Sequence, residues 1–355
     1  MMWWLSFSIL MGYHMLVFRK RENRSSSHKK DELPGVSIVI AVKNGSDRLI
    51  QHLHAFLTQD YPMYEIIIVD DHSKPDERRK LEDAVAGHPK IVLYHSDALP
   101  GKKQALSYGI DKATHPLILC TDADCYPQGS LWIKSMVSHS KGNDVVIGYS
   151  PYVKGNGLLN RFVRFETVMT AIQYFSWALM GKPYMGVGRN MLYSRQLFLD
   201  VNPFKDHGNI PYGDDDLWIQ QAARVAHVGV NLEEDSFMLS DPPVTWRNWL
   251  RQKHRHLSAG HHYRMHSWWQ PGLFGMALIL HWFLLPFLLT DITEGDIPFF
   301  FLSGLLIRWI TYIQWTQRLG EKDTRIWYPL AEVAYAVYLA VMGVVTIVAK
   351  KKTWN

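Results

Sequence analysis

The sequence predicts an α/β protein, a mostly parallel sheet with helices on both faces, with transmembrane helices toward its N- and C-terminal ends. Two observations carry this. Short β-rich runs alternate with runs of helical period between residues 35 and 120, the pattern of right-handed βαβ units. Long apolar segments with Trp and Tyr at their ends then dominate the last third of the chain.

The elements follow in order. Val36–Val42 is β-rich. Leu49, Leu53, Phe56 and Leu57 recur at helical spacing, and Asp60-Tyr61-Pro62 ends that run. Glu65–Val69 reads as a strand, Asp76–Ala86 as a helix, Lys90–Tyr94 as a strand, Lys102–Ala113 as a helix and Leu117–Cys120 as a strand. Residues 151–242 alternate less cleanly. Within them Leu158–Met180 is apolar and aromatic, with Arg161, Arg164 and Glu166 near its start; it is expected on the membrane surface or in a core rather than spanning. Trp246–Tyr263 mixes Trp and Leu with Arg, Lys and His, the composition of an interfacial helix.

Four segments are apolar enough to suggest membrane spans: Met1–Phe18, Leu273–Thr290, Ile297–Trp315 and Trp327–Ala349. Buried core helices are the plain alternative, but three in succession with aromatic ends favour spans. Arg19-Lys20-Arg21 follows the first segment instead of preceding it, the reverse of a secretory signal, so an uncleaved anchor is expected. At ~1.5 Å per residue its 18 residues reach about 27 Å, barely a bilayer core. The positive-inside rule puts Arg19–Lys30, the middle of the chain and the loop bearing Arg318, Lys322 and Arg325 in the cytoplasm, with the acidic loop Asp291–Asp296 outside. Four spans place Lys350-Lys351-Lys352 outside, against the rule. Arg308 and Glu332 fall inside adjacent spans at similar depth, and the cost of an unpaired charge there predicts that they pair.

Composition narrows the classes. Hydrophobic residues at 47% and charged residues at 20% exclude a disordered chain. A net charge of +5 is too mild to argue for nucleic acid; it fits anionic lipid or phosphorylated ligands. Cys120 and Cys125 are the only cysteines, too few for a disulfide framework, which fits a reducing compartment.

Five clusters carry possible chemistry. Asp122-Ala123-Asp124 closes a strand of a βα unit; two carboxylates there can hold Mg²⁺ or Mn²⁺, which favour oxygen ligands, whereas an isolated DxD is more often a solvated turn. Asp70-Asp71 closes another strand and can accept hydrogen bonds from a base or ribose, or simply cap the next helix. Pro100-Gly101-Lys102 opens a helix and suits an anion, or is an ordinary basic loop. Gly213-Asp214-Asp215-Asp216-Leu217 sets three carboxylates at a helix start; dipole stabilisation needs only one or two, and adjacent like charges repel, so a base is expected among them. Gln252-Lys253-His254-Arg255-His256 can bind a diphosphate through Arg255, or lie on a membrane surface. His261, His262 and His266 extend that cluster without completing a zinc set.

Taken together, the residues resemble the family-two inverting glycosyltransferases of the GT-A fold, over roughly residues 35–260. The matching pieces are Val36–Asn44, Ile68-Val69-Asp70-Asp71-His72-Ser73, Gly101–Leu106, Asp122-Ala123-Asp124, Tyr184–Asn190 and Gly213–Leu217. Gln252-x-x-Arg255-His256 resembles the Gln-x-x-Arg-Trp motif of the membrane-bound branch. Three positions depart: Asn44-Gly45 stands for Asn-Glu, Asp214-Asp215 for a Glu-Asp base motif, and His256 for Trp. The resemblance implies a nucleotide-diphosphate sugar donor held through Ala41, Asn44, Asp70, Asp71, Lys102, Asp122, Gln252 and Arg255. It implies Mg²⁺ or Mn²⁺ on Asp122 and Asp124, and Asp214 as base with Asp215 the alternative. The expected layout is an anchor at 1–18, a basic linker at 19–34, a catalytic domain at 35–242, interfacial helices at 243–272, three transmembrane helices at 273–349 and a basic tail at 350–355. The expected activity is single inverting transfer to a lipid-linked or saccharide acceptor at the cytoplasmic face, in the inner membrane if the source is bacterial. A metal-dependent nucleotidyltransferase and an inactive nucleotide-sugar-binding protein are the alternatives.

Overall fold

The computed structural model describes residues 1–19, 33–203, 214–258, 265–289 and 296–348. Most of the basic linker, Gly213, His261, His262, the acidic loop and the lysine tail lie outside the described residues, as do the side chains of Asp214, His256 and His266. The chain divides into two compact units, one of Glu22–Val153, Gly181–Pro242 and Thr353–Asn355, the other of Met1–Arg21, Lys154–Met180 and Pro243–Lys352. Helix α1 (Met2–Gly12) belongs to the second of these.

The first unit is the α/β core. It runs β1 (Val36–Val42), α2 (Ser46–Leu57), β2 (Tyr64–Asp70), α3 (Pro75–Val85), β3 (Ile91–His95), α4 (Lys102–Lys112), β4 (Leu117–Asp122), β5 (Cys125–Pro127), α5 (Trp132–Ser138) and β6 (Val145–Gly148). After the excursion of α6 (Leu158–Leu179) into the other unit, it resumes with β7 (Met191–Ser194), α7 (Arg195–Val201), α8 (Asp214–Ala222), β8 (Val228–Asn231) and β9 (Met238–Ser240). Seven strands form one sheet in the order β3-β2-β1-β4-β7-β6-β8. Every pairing is parallel except those of β7, which is antiparallel to both neighbours.

The continuous apolar runs of β1 and β2 are explained by burial on both faces. Side chains alternate along a strand. Ile38, Ile40, Ile66 and Ile68 therefore join Leu49, Leu53 and Phe56 of α2, Leu81 of α3 and Trp132 of α5 in one cluster. Val39, Ile67 and Val69 point the other way, toward α4. There a Cβ on Gly109 would come within 2.7 Å of Val39, so only glycine lets the helix approach this closely.

Two features depart from the expected pattern. Asp122-Ala123-Asp124 does not open a βα unit: β4 reverses at once into β5, which pairs antiparallel with β9. A three-residue strand carries no readable period, and its partner lies over a hundred residues on, so local patterning misses it. The second departure is α6, which interrupts the domain expected at 35–242. It is apolar all round, and its two buried charges, Arg164 and Glu166, find their partners in the helical unit.

In that unit α1 continues through a π-helical turn, Tyr13–Val17, and runs antiparallel to α10 (Met265–Leu289). Trp3 Nε1 donates to the His281 carbonyl at 3.2 Å, and Tyr13 donates its hydroxyl to the Gln270 carbonyl at 2.6 Å. The remaining helices are α9 (Trp246–Ser258), α11 (Asp296–Arg318) and α12 (Tyr328–Val348), the last preceded by a 3₁₀ stretch, Lys322–Trp327. Among the described residues three helices are long and apolar enough to cross a membrane: Trp269–Leu288, Ile297–Arg318 and Lys322–Val345. Met2–Val17 is apolar but shorter; at ~1.5 Å per residue it falls short of a ~30 Å hydrocarbon core. Phe299, Leu302, Leu306 and Ile310 form an exposed apolar stripe along α11.

The charges within these helices are paired. Arg308 donates through Nε to Glu332 Oε1 at 2.9 Å and through Nη2 to Oε2 at 3.1 Å, with both side chains fully buried. Trp282 Nε1 and the Tyr328 hydroxyl also donate to Glu332. Arg164 is held by Glu321 and by Asp323, the latter at 2.7 Å.

Removing one partner of a buried pair strands the other charge and costs about 3–5 kcal/mol. Arg308→Met and Glu332→Gln are each expected to lower thermal stability in detergent by that order, and the double variant by much less than their sum. Additive losses in the double-mutant cycle would show that the two side chains do not interact.

Candidate active site

The strand order reverses between β1 and β4, and open α/β sheets bind ligands at the carboxyl ends of strands beside such a switch point. Residues from three strand ends meet there. Ala41 on β1 pairs in register with Asp122 on β4 and with Val69 on β2, and Val42 pairs with Asp70. Just beyond β1, Asn44 takes a left-handed backbone (φ 51°), which asparagine tolerates better than most residues. It ties two loops together: its N–H donates to Ser73 Oγ at 2.9 Å and its Oδ1 accepts from Lys74 N–H at 2.9 Å.

Asp70 and Asp71 are separated in role by their contacts. Asp70 is fully buried. It accepts from Ser73 N–H at 3.1 Å and Arg78 Nε at 3.0 Å, with His95 Nδ1 at 3.3 Å. Burial pushes its pKa up, but the hydrogen bonds from Ser73, His95 and Arg78 outweigh that and hold it below the usual carboxylate range. Asp71, also buried, accepts twice from the Gly101 N–H at 3.0 and 3.1 Å, and His72 Nδ1 lies 3.1 Å away. Gly101 holds φ at 153°, and a Cβ there would run into Gln104. The Asp71–Gly101 bonds thus set the start of α4 and with it Lys102.

Lys102 Nζ sits 2.7 Å from Asp122 Oδ1, and Arg48 Nη1 sits 3.7 Å from Asp124 Oδ2. Ligand atoms of Asp122, Asp124 and Cys125 lie within 4.8 Å of one another. Burial pushes the Cys125 thiol up, so it stays protonated and the anionic donors of the cluster are the two carboxylates. Hard oxygen donors at a half-buried strand end suit Mg²⁺ or Mn²⁺ better than a thiophilic ion.

The loop Gly186–Asn190 brings the late acidic cluster to the same region. Gly188 N–H donates to Asp215 Oδ2 at 2.9 Å, and Asp215 Oδ1 accepts from Asp216 N–H at 3.0 Å. One residue on, Arg189 donates to the Ser150 carbonyl at 3.1 Å and stacks over the Tyr152 ring at 5.0 Å, within electrostatic reach of Asp122. Asn190 is fully buried and locks the loop. It donates to the carbonyls of Tyr149 at 2.7 Å and Ser236 at 2.8 Å, and accepts from Trp132 Nε1 at 2.9 Å.

Ala41, Asn44, Asp70, Asp71, Lys102, Asp122 and Asp124 therefore share one edge, with Asp215 tied in through Gly188. Asp214 heads the same helix, α8. Gln252 and Arg255 lie on α9, in the helical unit. Arg48 and Arg189 escape sequence reasoning because an arginine on a helix or in a glycine-rich loop has no local mark of its partner. Cys125 was visible only as a cysteine too few to build disulfides, and both cysteines are free and buried.

Residues 37–201 match the Glycosyl transferase family 2 model. The match includes Asp122, Asp124 and the 186–190 loop and stops before Asp214 and Arg255. Glycosyltransferase AglE of Haloferax volcanii is 26% identical over 200 residues, covering 54% of this chain and 62% of that protein. The poly-beta-1,6-N-acetyl-D-glucosamine synthase of Staphylococcus epidermidis is 30% identical over 124 residues, covering 34% of this chain and 29% of that protein. The chain thus spans less than two thirds of the length of either relative. The mannosyltransferase PcManGT of Pyrobaculum calidifontis, solved with GDP-Man and Mn²⁺, shares the fold: TM-score 0.64 at 16% identity, covering 98% of this chain and 97% of that one.

Because the Asp70 pKa is depressed on folding, its contribution to stability is complete above the unfolded value of about 3.9 and is lost as pH falls through the folded value. Acid unfolding followed by circular dichroism is expected to show a steeper loss below about pH 4 in the native chain than in Asp70→Asn. Parallel acid limbs for the two proteins would remove Asp70 from the pH dependence.

Proposed function

We propose that the chain is a membrane-anchored, inverting glycosyltransferase of the Gln-x-x-Arg branch. It would move a sugar from a nucleotide-diphosphate donor to a lipid-linked or saccharide acceptor on the cytoplasmic side. The observation that carries this reading is the clustering of the DxD carboxylates with Lys102 at the end of β4, in the same α/β unit in which Gly188 holds Asp215 at the head of α8. The helices long and apolar enough to span support the membrane part. Met2–Val17 would then serve as a membrane-associated anchor packed on α10.

In this reading Ala41, Asn44 and Asp71 shape the nucleotide pocket, and Asp70 positions the loop beneath it. Asp122 and Asp124 hold Mg²⁺ or Mn²⁺, which supplies charge neutralisation for the leaving diphosphate. Lys102 is close enough to Asp122 to reach the same phosphates, and Arg255 with Gln252 adds a second, bidentate hold. Asp214 removes the acceptor proton, and the hydroxyl attacks the anomeric carbon in line as the bond to the diphosphate breaks. One displacement without a covalent intermediate inverts the configuration. Asp215 already accepts from the Gly188 and Asp216 N–H groups, which tie it to the loop; in this reading Asp214, one residue earlier, is the base, with Asp215 the alternative. Positioning and charge neutralisation account for most of the acceleration.

Incubating membranes with divalent metal and a panel of labelled nucleotide sugars tests the reading. Release of nucleoside diphosphate with sugar transfer is the expected result. Pyrophosphate release would instead indicate a nucleotidyltransferase, and no release a binding protein. Asp124→Ala or excess EDTA is expected to abolish turnover, and full activity in EDTA would overturn the metal assignment. Asp214→Asn is expected to cut turnover by about 100-fold or more while leaving donor affinity near normal. A larger loss from Asp215→Asn would move the base by one residue.

A further inference from the structure

Helix α9 carries a charge where its packing has least room for one. Among its described side chains only Trp249 and Lys253 are buried, one turn apart on a single stripe. Trp249 packs edge-on against Phe162 of α6 and beside Tyr338 of α12. Lys253 reaches the buried carboxylate of Glu166 on α6 and forms an ion pair with it. The other Glu166 oxygen accepts from Thr170 Oγ1 at 3.2 Å. This is not the arrangement of a basic helix lying on lipid headgroups, where lysines extend toward water.

A buried ion pair is poor evidence for stability, because desolvation offsets the attraction and an apolar pair of similar size often does as well. Its geometry is demanding, however, and that fixes rotation. At about 100° per residue, Gln252 and Arg255 lie about 60° apart on α9, and the middle of their face is about 130° from Lys253. Whatever sets the azimuth of Lys253 therefore sets the direction of the Gln252–Arg255 face. Apolar packing by Trp249 alone tolerates rolling; a pair with two charges to satisfy does not.

We propose that the Lys253–Glu166 pair is the positioning device of α9: it holds the helix at the one rotation that presents Gln252 and Arg255. Its role in catalysis rests on the diphosphate-binding function proposed above for Arg255, but the rotation itself does not.

The test uses the full chain in lipid nanodiscs. Single cysteines are introduced at position 249, 252 or 255 and labelled with a maleimide; Cys120 and Cys125 are buried and give a low background. In the native background, positions 252 and 255 are expected to label much faster than 249. In Lys253→Met and in Glu166→Gln that contrast should collapse, and in the exchanged pair Lys253→Glu/Glu166→Lys it should return. The neutral pair Lys253→Met/Glu166→Leu removes the stranded charge, so it guards against simple unfolding; it should remain folded yet lose the contrast. A native contrast retained in the folded neutral pair would overturn the proposal, since packing alone would then orient α9. With Arg255 intact, the neutral pair is also expected to lose about 10- to 100-fold in kcat/KM for the donor, the penalty of a misplaced group. Labelling needs neither donor nor turnover. A chain that transfers no sugar but shows the contrast would sink the functional reading and leave the positioning role standing.

Discussion

The α/β unit gathers acidic side chains along one edge of its sheet, and carboxylates brought that close repel unless each is answered. Asp70 is answered by Arg78 and His95, Asp71 by the Gly101 N–H, Asp122 by Lys102, Asp124 by Arg48 and Asp215 by the Gly188 N–H. The answers differ in permanence. Asp70 and Asp71 are themselves buried, and the answers to them belong to the fold: they fix the loops after β1 and β2 and the start of α4. Those to Asp122 and Asp124 come from partly exposed cations on flexible side chains, which a stronger cation or a phosphate can displace. The gradient from buried to partly exposed carboxylates separates scaffold from site.

The same constraint recurs in the helical unit, where charged side chains are buried among apolar ones. Arg308 and Lys253 each meet a carboxylate from another helix, and Arg164 meets Glu321 in the turn after α11. Around Arg308 the carboxylate is satisfied further by Trp282 and Tyr328. Each pair pins one helix against another at a defined height and rotation, which apolar stripes alone specify loosely.

The glycine-rich loop shows how a backbone requirement becomes a functional one. Asn190 spends its whole amide on the loop's own neighbours. That rigidity sets Gly188 on Asp215 and the adjacent Arg189 on the Ser150 carbonyl and the Tyr152 ring. A Cβ on Gly188 would come within 3.3 Å of the Asp215 side chain, which would then have to shift by a few tenths of an ångström.

Much of this was legible in the sequence because it is local. The elements from β1 to β4 follow from period and turn residues, and the carboxylates at strand ends follow from the strands. The Arg308–Glu332 pair follows from the cost of charge in an apolar segment and from counting residues to the same end of two adjacent helices. Other features were decided only by contacts between distant parts of the chain. The antiparallel strand β7, the β5–β9 ribbon after the DxD and the membership of α6 in the helical unit are of this kind. Arg164 and Glu321 are 157 residues apart, and nothing near either names the other. Asp70 and Asp71 look alike in sequence, yet one is enclosed by Arg78, His95 and Ser73 while the other anchors Gly101. Local chemistry determines which residues can act; only tertiary packing, by fixing which partners surround each charge, decides which are free to do so.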